Sequence, residues 1–227
     1  MSFRKTQLVF GEYYHIYNRG NSKQEIFIDK EDYDRFIKLL FLCNSRKSIN
    51  FRDDIIKAGI DTWDFDRGEP IISIGSWVLM PNHFHLYITS SPKQGLGLEN
   101  AIPIFMNKLG TAYVKYFNKK YNRTGGLFEG KFKSVHIEND GQAKYLFSYI
   151  HLNPVKLIDK NWKENGIKDL DKALKFLETY KCSSYSDYRG IKRSENTILD
   201  IIAFPDYFST IKDFDTEILE WLNYKDL

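Results

Sequence analysis

An α+β fold built on an antiparallel sheet is predicted by the order of the elements, the short connections between them and the caps that bound the helices. Residues 12–18 (EYYHIYN) are rich in β-formers and place His15 and Tyr17 on one face, Tyr14 and Ile16 on the other. The NRGNS turn follows. Asp29 or Asp32 can then cap a helix over 31–43, where Tyr33, Phe36, Ile37, Leu40 and Phe41 recur at helical spacing. Residues 44–70 are polar and irregular, with room for one short helix. Strands over 71–80 and 83–90 flank Pro81-Asn82, a dipeptide suited to a hairpin connection. PKQGLG (92–97) reads as a loop. A long helix fits 98–121, its Pro103 tolerated only in the first turn. KFKSVHIE (131–138) reads as a fourth strand. Asn139 or Asp140 then caps a helix over 141–152, which Pro154 helps to stop. The order β-α-β-β-α-β-α is a split βαβ, or ferredoxin-like, arrangement with its helices expected on one face of the sheet. A helix near 169–180, a Ser/Tyr-rich loop (CSSYSDYRG) and one or two short acidic helices complete the chain. The domain expectation is therefore a unit over 1–160 and a small helical C-terminal extension over 161–227, with a soft boundary.

Composition narrows the function classes. The 227 residues include 36 aromatics (17 Phe, 15 Tyr, 4 Trp), with 28% charged and 42% hydrophobic residues, which is a globular composition. No apolar run reaches the roughly 18–20 residues of a membrane span, and MSFRKTQLVF lacks the apolar core of a secretory signal. Two cysteines, Cys43 and Cys182, make neither a disulfide framework nor a four-ligand zinc site, so a cytoplasmic protein is expected. The net charge of +3 conceals a pattern. Between 108 and 133 stand Lys108, Lys115, Lys119, Lys120, Arg123, Lys131 and Lys133 against the single acid Glu129, while acids outnumber bases in the last 32 residues. Basic residues interleaved with Tyr113, Tyr116, Phe117, Tyr121, Phe128 and Phe132 form a composition that binds phosphate backbones and stacks bases. An amphipathic helix with a solvated lysine face would look the same.

Two constellations could carry chemistry. In Pro81-Asn82-His83-Phe84-His85 the strand period sends His83 and His85 to one face and Phe84 to the other, so two imidazoles are presented side by side to a divalent cation. By itself such a pair is most often a satisfied surface feature. In Tyr149-Ile150-His151-Leu152-Asn153-Pro154, helical spacing makes Tyr149 and Asn153 neighbours. A tyrosine can act as a covalent nucleophile, and an amide oxygen is a hard ligand suited to Mg2+ or Mn2+. The competing reading makes Tyr149 a core aromatic and Asn153 a helix cap. Tyr145, one turn earlier, is the alternative nucleophile.

Four stretches, YHIYNRGNSKQEIF (14–27), VLMPNHFHLYI (78–88), RTGGLFEGKFKS (123–134) and YLFSYIHLNPVKL (145–157), with a weaker echo in CSSYSDY (182–188), resemble the REP-associated tyrosine transposases. These are single-tyrosine members of the His-hydrophobic-His (HUH) endonuclease superfamily. The stretches come in that family's order, and the resemblance spans about residues 11–190. It implies an HUH-type sheet and a metal-dependent single-stranded DNA endonuclease and strand transferase acting on hairpin or repeat DNA. Under it His83 and His85 are metal ligands, Asn153 is the third, amide-type ligand, and Tyr149 forms a 5′-phosphotyrosine. Phe128, Glu129 and Lys131 stand where relatives commonly show Trp, Gln and Arg. Arg19, Lys115, Lys119, Arg123, Lys131 and Lys133 are the candidate DNA contacts. His15, His136, Lys131 and Lys133 are the candidates for helping the phenol ionise. The rival functions are a domesticated hairpin binder that no longer cuts, a replication initiator or relaxase of the same superfamily, and a zinc hydrolase. Either a monomer or a homodimer is compatible with the resemblance, and no membrane partner is expected.

Overall fold

The computed structural model describes residues 7–90 and 100–223. The PKQGLG segment, the first residues of the helix expected from 98 and the last acidic residue Asp226 lie outside them. Strands β1 (Tyr13–Arg19), β2 (Ile72–Met80), β3 (His83–Ser90) and β4 (Lys133–Ile137) form one sheet in the order β2-β3-β1-β4, with every neighbouring pair antiparallel. β1 and β2 are thus parallel and separated by β3, which is the split βαβ connection expected from the element order. Helix α1 (Lys30–Cys43) crosses from β1 to β2, and α2 (Ala101–Lys120) from β3 to β4. Both expected caps of α1 are used at once. Asp29 accepts from the Asp32 amide at 3.1 Å, and the Asp32 carboxylate reaches back to the Asp29 amide at 3.3 Å.

The alternation along the strands divides two cores. Tyr14, Ile16, Phe84, Leu86, Ile88, Trp77 and Leu79 point toward α1 and α2, where Phe36, Leu40, Phe105, Leu109 and Tyr113 meet them. Helices on one face describes α1 and α2 but not α3 (Asp140–Leu152). That helix packs Ala143, Leu146 and Ile150 against Val78, Met80, Tyr87 and Ile137, which belong to the opposite face. The reason is its own apolar stripe at helical spacing, which matches the apolar side chains on the sheet face opposite α1 and α2.

In the irregular 44–70 segment the expected short helix is a wide π turn (Phe51–Lys57), followed by a 3-10 turn (Thr62–Asp64). From 161 onward come α4 (Trp162–Asn165), α5 (Leu170–Thr179), α6 (Tyr185–Tyr188) and α7 (Ile211–Asn223). They share one apolar cluster with the outer side of α3 and the 3-10 turn Asn153–Leu157 after it: Phe147, Leu152 and Val155 pack with Trp162, Leu177, Tyr185, Phe214 and Ile218. The CSSYSDY stretch also joins the sheet edge. The Leu79 amide donates to the Cys182 carbonyl at 2.9 Å, and the Ser184 amide donates to the Trp77 carbonyl at 2.9 Å.

Candidate active site

The sheet face covered by α3 carries the histidines. The β1–β3 register sets Tyr17 opposite His85 and Arg19 opposite His83, so His15, Tyr17, His83 and His85 all project from that face. The turn presenting His83 is braced by the first and third sequence stretches. The Gly20 amide donates to the Asn82 carbonyl at 2.9 Å, and the Ile26 and Phe27 amides donate to the Pro81 carbonyl at 2.8 and 3.0 Å. The 123–134 stretch backs this brace in turn, with the Asn21 amide donating to Leu127 and the Glu129 amide to Arg19, each at 2.9 Å. Gly20 has no room for a side chain, since a Cβ there would stand 2.1 Å from the Gln24 carbonyl oxygen.

The hydrogen bonds of the two imidazoles decide which nitrogens remain open. Asn82 Oδ1 can only accept, so the 2.6 Å contact from His83 Nδ1 makes Nδ1 the protonated nitrogen and leaves Nε2 with its lone pair. His85 Nδ1 contacts His15 Nε2 at 2.8 Å, and His85 Nε2 is buried without a hydrogen-bond partner among the described residues. Burial pushes His83 and His15 down to about 4 and His85 well below its ordinary value, so all three are neutral near pH 7. Neutral imidazoles oriented through their second nitrogen are in the state a metal ligand requires.

α3 brings the second constellation to the same place. The Tyr149 ring stands edge-on to the His85 ring, with centroids 5.2 Å apart. Asn153, fully buried at the end of the helix, has neither its Oδ1 nor its Nδ2 hydrogen-bonded among the described residues. Its amide is nonetheless near enough to raise the pKa of His83 and lower that of Tyr149, in each case opposing the larger effect of burial. Burial prevails at the phenol, whose pKa stays above its ordinary value. Among the described residues no group of three His, Cys, Asp or Glu side chains is placed to hold a metal ion. His83 Nε2, His85 Nε2 and Asn153 Oδ1 are the donors that could hold one, and of these His85 Nε2 and Asn153 Oδ1 are buried without a hydrogen-bond partner among the described residues.

The other sequence candidates divide. Tyr145 is half-exposed, stacks on Tyr149 at 6.2 Å and turns its other edge to Trp221. His136 is a correction: the β1–β4 register pairs it with Tyr14, on the face of α1 and α2, where it contacts Glu12 at 2.9 Å. Lys133 shares the histidine face, being paired with Tyr17. Arg19 is committed to an ion pair with Glu129. Lys115, Lys119 and Arg123 ride on or just beyond α2, in the opposite layer, and Lys115 and Lys131 border a cavity of about 600 Å3 there. Of the basic run, Lys120 is tied to Asp29, Glu31 and Asp32, and Lys108 to the carbonyls of Ser45 and Lys47. Two cations absent from the sequence expectation stand at Tyr149 instead: Lys163 Nζ lies 4.3 Å and Lys156 Nζ 5.9 Å from its ring centroid. Their one sequence signal is the seven-residue spacing 149, 156, 163, which Pro154 makes unreadable as a single helix.

No protein-family model and no curated protein matches the chain. Among solved structures it is similar to a REP-associated tyrosine transposase bound to a REP hairpin, with 15% identity, 86% of this chain and 90% of that one covered, and a TM-score of 0.49. It is also similar to a putative transposase from Deinococcus radiodurans R1, with 15% identity, 65% and 93% of the two chains covered, and a TM-score of 0.34. At this identity a likeness concerns the fold alone. No helix among the described residues is long and apolar enough to cross a membrane.

Proposed function

We propose that this chain is a metal-dependent single-stranded DNA endonuclease and strand transferase that acts on hairpin or repeat DNA through Tyr149. One observation carries the reading. His83 and His85 on a strand and Tyr149 and Asn153 on a helix more than sixty residues away converge on one sheet face, with His85 Nε2 and Asn153 Oδ1 buried and unsatisfied. Unsatisfied polar atoms at such depth are costly and are retained where a ligand completes them.

His83, His85 and Asn153 would hold Mg2+ or Mn2+, which when bound supplies positive charge to a phosphate oxygen and to the departing 3′-oxygen. Asn82 holds the His83 ring in the tautomer that exposes Nε2, and His85 exposes its own Nε2 lone pair when its Nδ1–H donates to His15 Nε2. The Tyr149 phenol oxygen attacks the phosphorus in line. The new bond is Tyr149 O–P, the bond broken is P–O3′, and the phenol proton is balanced by the proton taken up by the 3′-hydroxyl. The burial-raised pKa keeps the phenol protonated until DNA arrives. Lys156 and Lys163 then favour the developing negative charge through the field they set at the ring. A 3′-hydroxyl can reverse the step, so cutting and rejoining need no nucleotide cofactor.

The test is incubation with labelled single-stranded DNA carrying a hairpin, with Mn2+ or Mg2+, followed by a denaturing gel. A covalent protein–DNA species is expected from the unaltered chain and none from Tyr149→Phe. An undiminished adduct in that variant would move the nucleophile to Tyr145. Retarded hairpin with no covalent species in either protein would make the chain a binder that does not cut.

A further inference from the structure

Beside Tyr149 the extension closes a cavity of about 350 Å3, whose walls include Tyr145, Tyr149, Trp162, Lys163 and Trp221. That size lies within the range of small-ligand sites. The walls are rings at several inclinations. Tyr145 stacks on Tyr149 at 6.2 Å, Trp221 meets Tyr145 edge-to-face at 5.1 Å, and Lys163 Nζ sits 5.6 Å from the Trp162 ring. Trp221 is oriented by its Nε1–H, which donates to Glu217 Oε1 at 2.7 Å; Ser148 Oγ donates to the same oxygen at 3.4 Å. Trp162 Nε1 is buried with no acceptor among the described residues.

The chemistry of the walls selects the ligand. An aromatic cage by itself would suit an organic cation, but Lys163 inside this one repels cations. A wholly apolar ligand would strip water from the same ammonium without replacing it. A flat aromatic ring joined to an anion satisfies both halves of the site. We propose that this cavity binds one unpaired nucleobase of the strand whose phosphate Tyr149 attacks, with Lys163 at the adjoining phosphate. The proposal rests on the reading of Tyr149 as a DNA-strand nucleophile. It assigns to the C-terminal extension a part in substrate binding beyond packing against α3.

The test measures binding apart from cutting. A dT8 oligonucleotide is titrated, without metal, against the chain carrying Tyr149→Phe, with tryptophan fluorescence and anisotropy as readouts. Adding Trp221→Ala or Tyr145→Ala is expected to weaken binding about 5- to 150-fold, the effect of losing one base–aromatic stack. Trp221→Phe should recover most of the loss. An octamer of abasic deoxyribose phosphates should bind as weakly to the Trp221 protein as dT8 binds to Trp221→Ala. Lys163→Ala should lower the slope of log affinity against log salt by about 0.7. Unchanged dT8 affinity in Trp221→Ala and Tyr145→Ala proteins with native circular dichroism overturns the proposal, as does an abasic octamer bound as tightly as dT8. Base-dependent binding by a chain that forms no covalent adduct supports the cavity and removes the strand-transfer reading. An adduct formed by a chain with base-independent binding removes the cavity and leaves that reading intact.

Discussion

Two deeply buried polar side chains, one on each side of the sheet, are treated in opposite ways. Asp32, on the side of α1 and α2, is fully buried. Its Oδ2 accepts from the Ile28 amide at 2.8 Å and the Tyr121 hydroxyl at 2.7 Å, and its Oδ1 from Tyr116 and Lys120, each at 3.0 Å. Burial pushes its carboxyl up, but these bonds together hold it below the ordinary carboxylate range. Asn153, on the side of α3, is equally buried and makes no hydrogen bond with the described residues. A saturated buried group is accounted for by folding alone. An unsaturated one leaves room for a ligand, and Asn153 stands out among the unpartnered buried groups because His85 Nε2, unpartnered too, lies on the same sheet face.

The contrast can be broken at either end. The largest effect is expected at the unsaturated end. His85→Ala or Asn153→Ala should lower adduct formation by about 10²–10³, the usual scale for losing one group that stabilises the transition state. Stability to urea should change little in Asn153→Leu, since the amide meets full hydrogen-bond geometry with none of the described residues and only weakly influences His83 and Tyr149. A large stability loss in that variant would show that the amide has a structural partner after all.

Asp32→Ala should do the reverse. Removing one member of a buried charged cluster costs about 3 kcal/mol, read as a fall in the urea midpoint, while the folded fraction retains its adduct yield. The sign with pH follows from the depressed carboxyl. Its contribution is fully present above the unfolded value of ~3.9 and is lost as pH falls through the lower folded value. The stability gap between the unaltered chain and Asp32→Asn should therefore narrow on acidification below pH ~4.

Gly20→Ala sharpens the account of how the site is held. Its Cβ would collide with the Gln24 carbonyl that the turn cannot easily move, so a loss of about 1–3 kcal/mol is expected, together with weaker metal uptake measured by calorimetry. The smallest effect belongs to Glu129→Gln. The Arg19–Glu129 pair is roughly two-fifths exposed on both sides and screened by solvent, so stability should barely shift. Hairpin affinity should rise as Arg19 is released, and gel retardation would show no change if Arg19 does not meet DNA.

Local pattern made much of this legible. The alternation in EYYHIYN and HFHLYITS foretold strands that run Tyr13–Arg19 and His83–Ser90, and Asn139 capped a helix where a cap was read. The spacing of Tyr149 and Asn153 foretold that the last turn of α3 and its C-cap residue would bring them together. The sequence alone does not choose between His15 and His136, which have the same appearance there. Only the register of β4 on β1, which sets His136 opposite Tyr14 and Val135 opposite His15, sends one to the site and the other behind the sheet. A slip of β4 by one residue would bring His136 to the face that His15 occupies. The seven basic residues of 108–133 likewise look alike in sequence, yet Lys108 and Lys120 are internal ties.

What the chain determines by itself is therefore whatever depends on neighbours within a few residues: strand period, helix caps, the hairpin at Pro81-Asn82 and the pairing of His83 with His85 on one face. What tertiary structure alone decided is everything that needs two distant segments to meet. It laid α3 across the face opposite α1 and α2, set His15 behind His85, and brought Lys163, Trp162 and Trp221 to the surroundings of Tyr149. The physical reason is that periodicity specifies which way a side chain points from its own element, whereas register and packing specify what it meets.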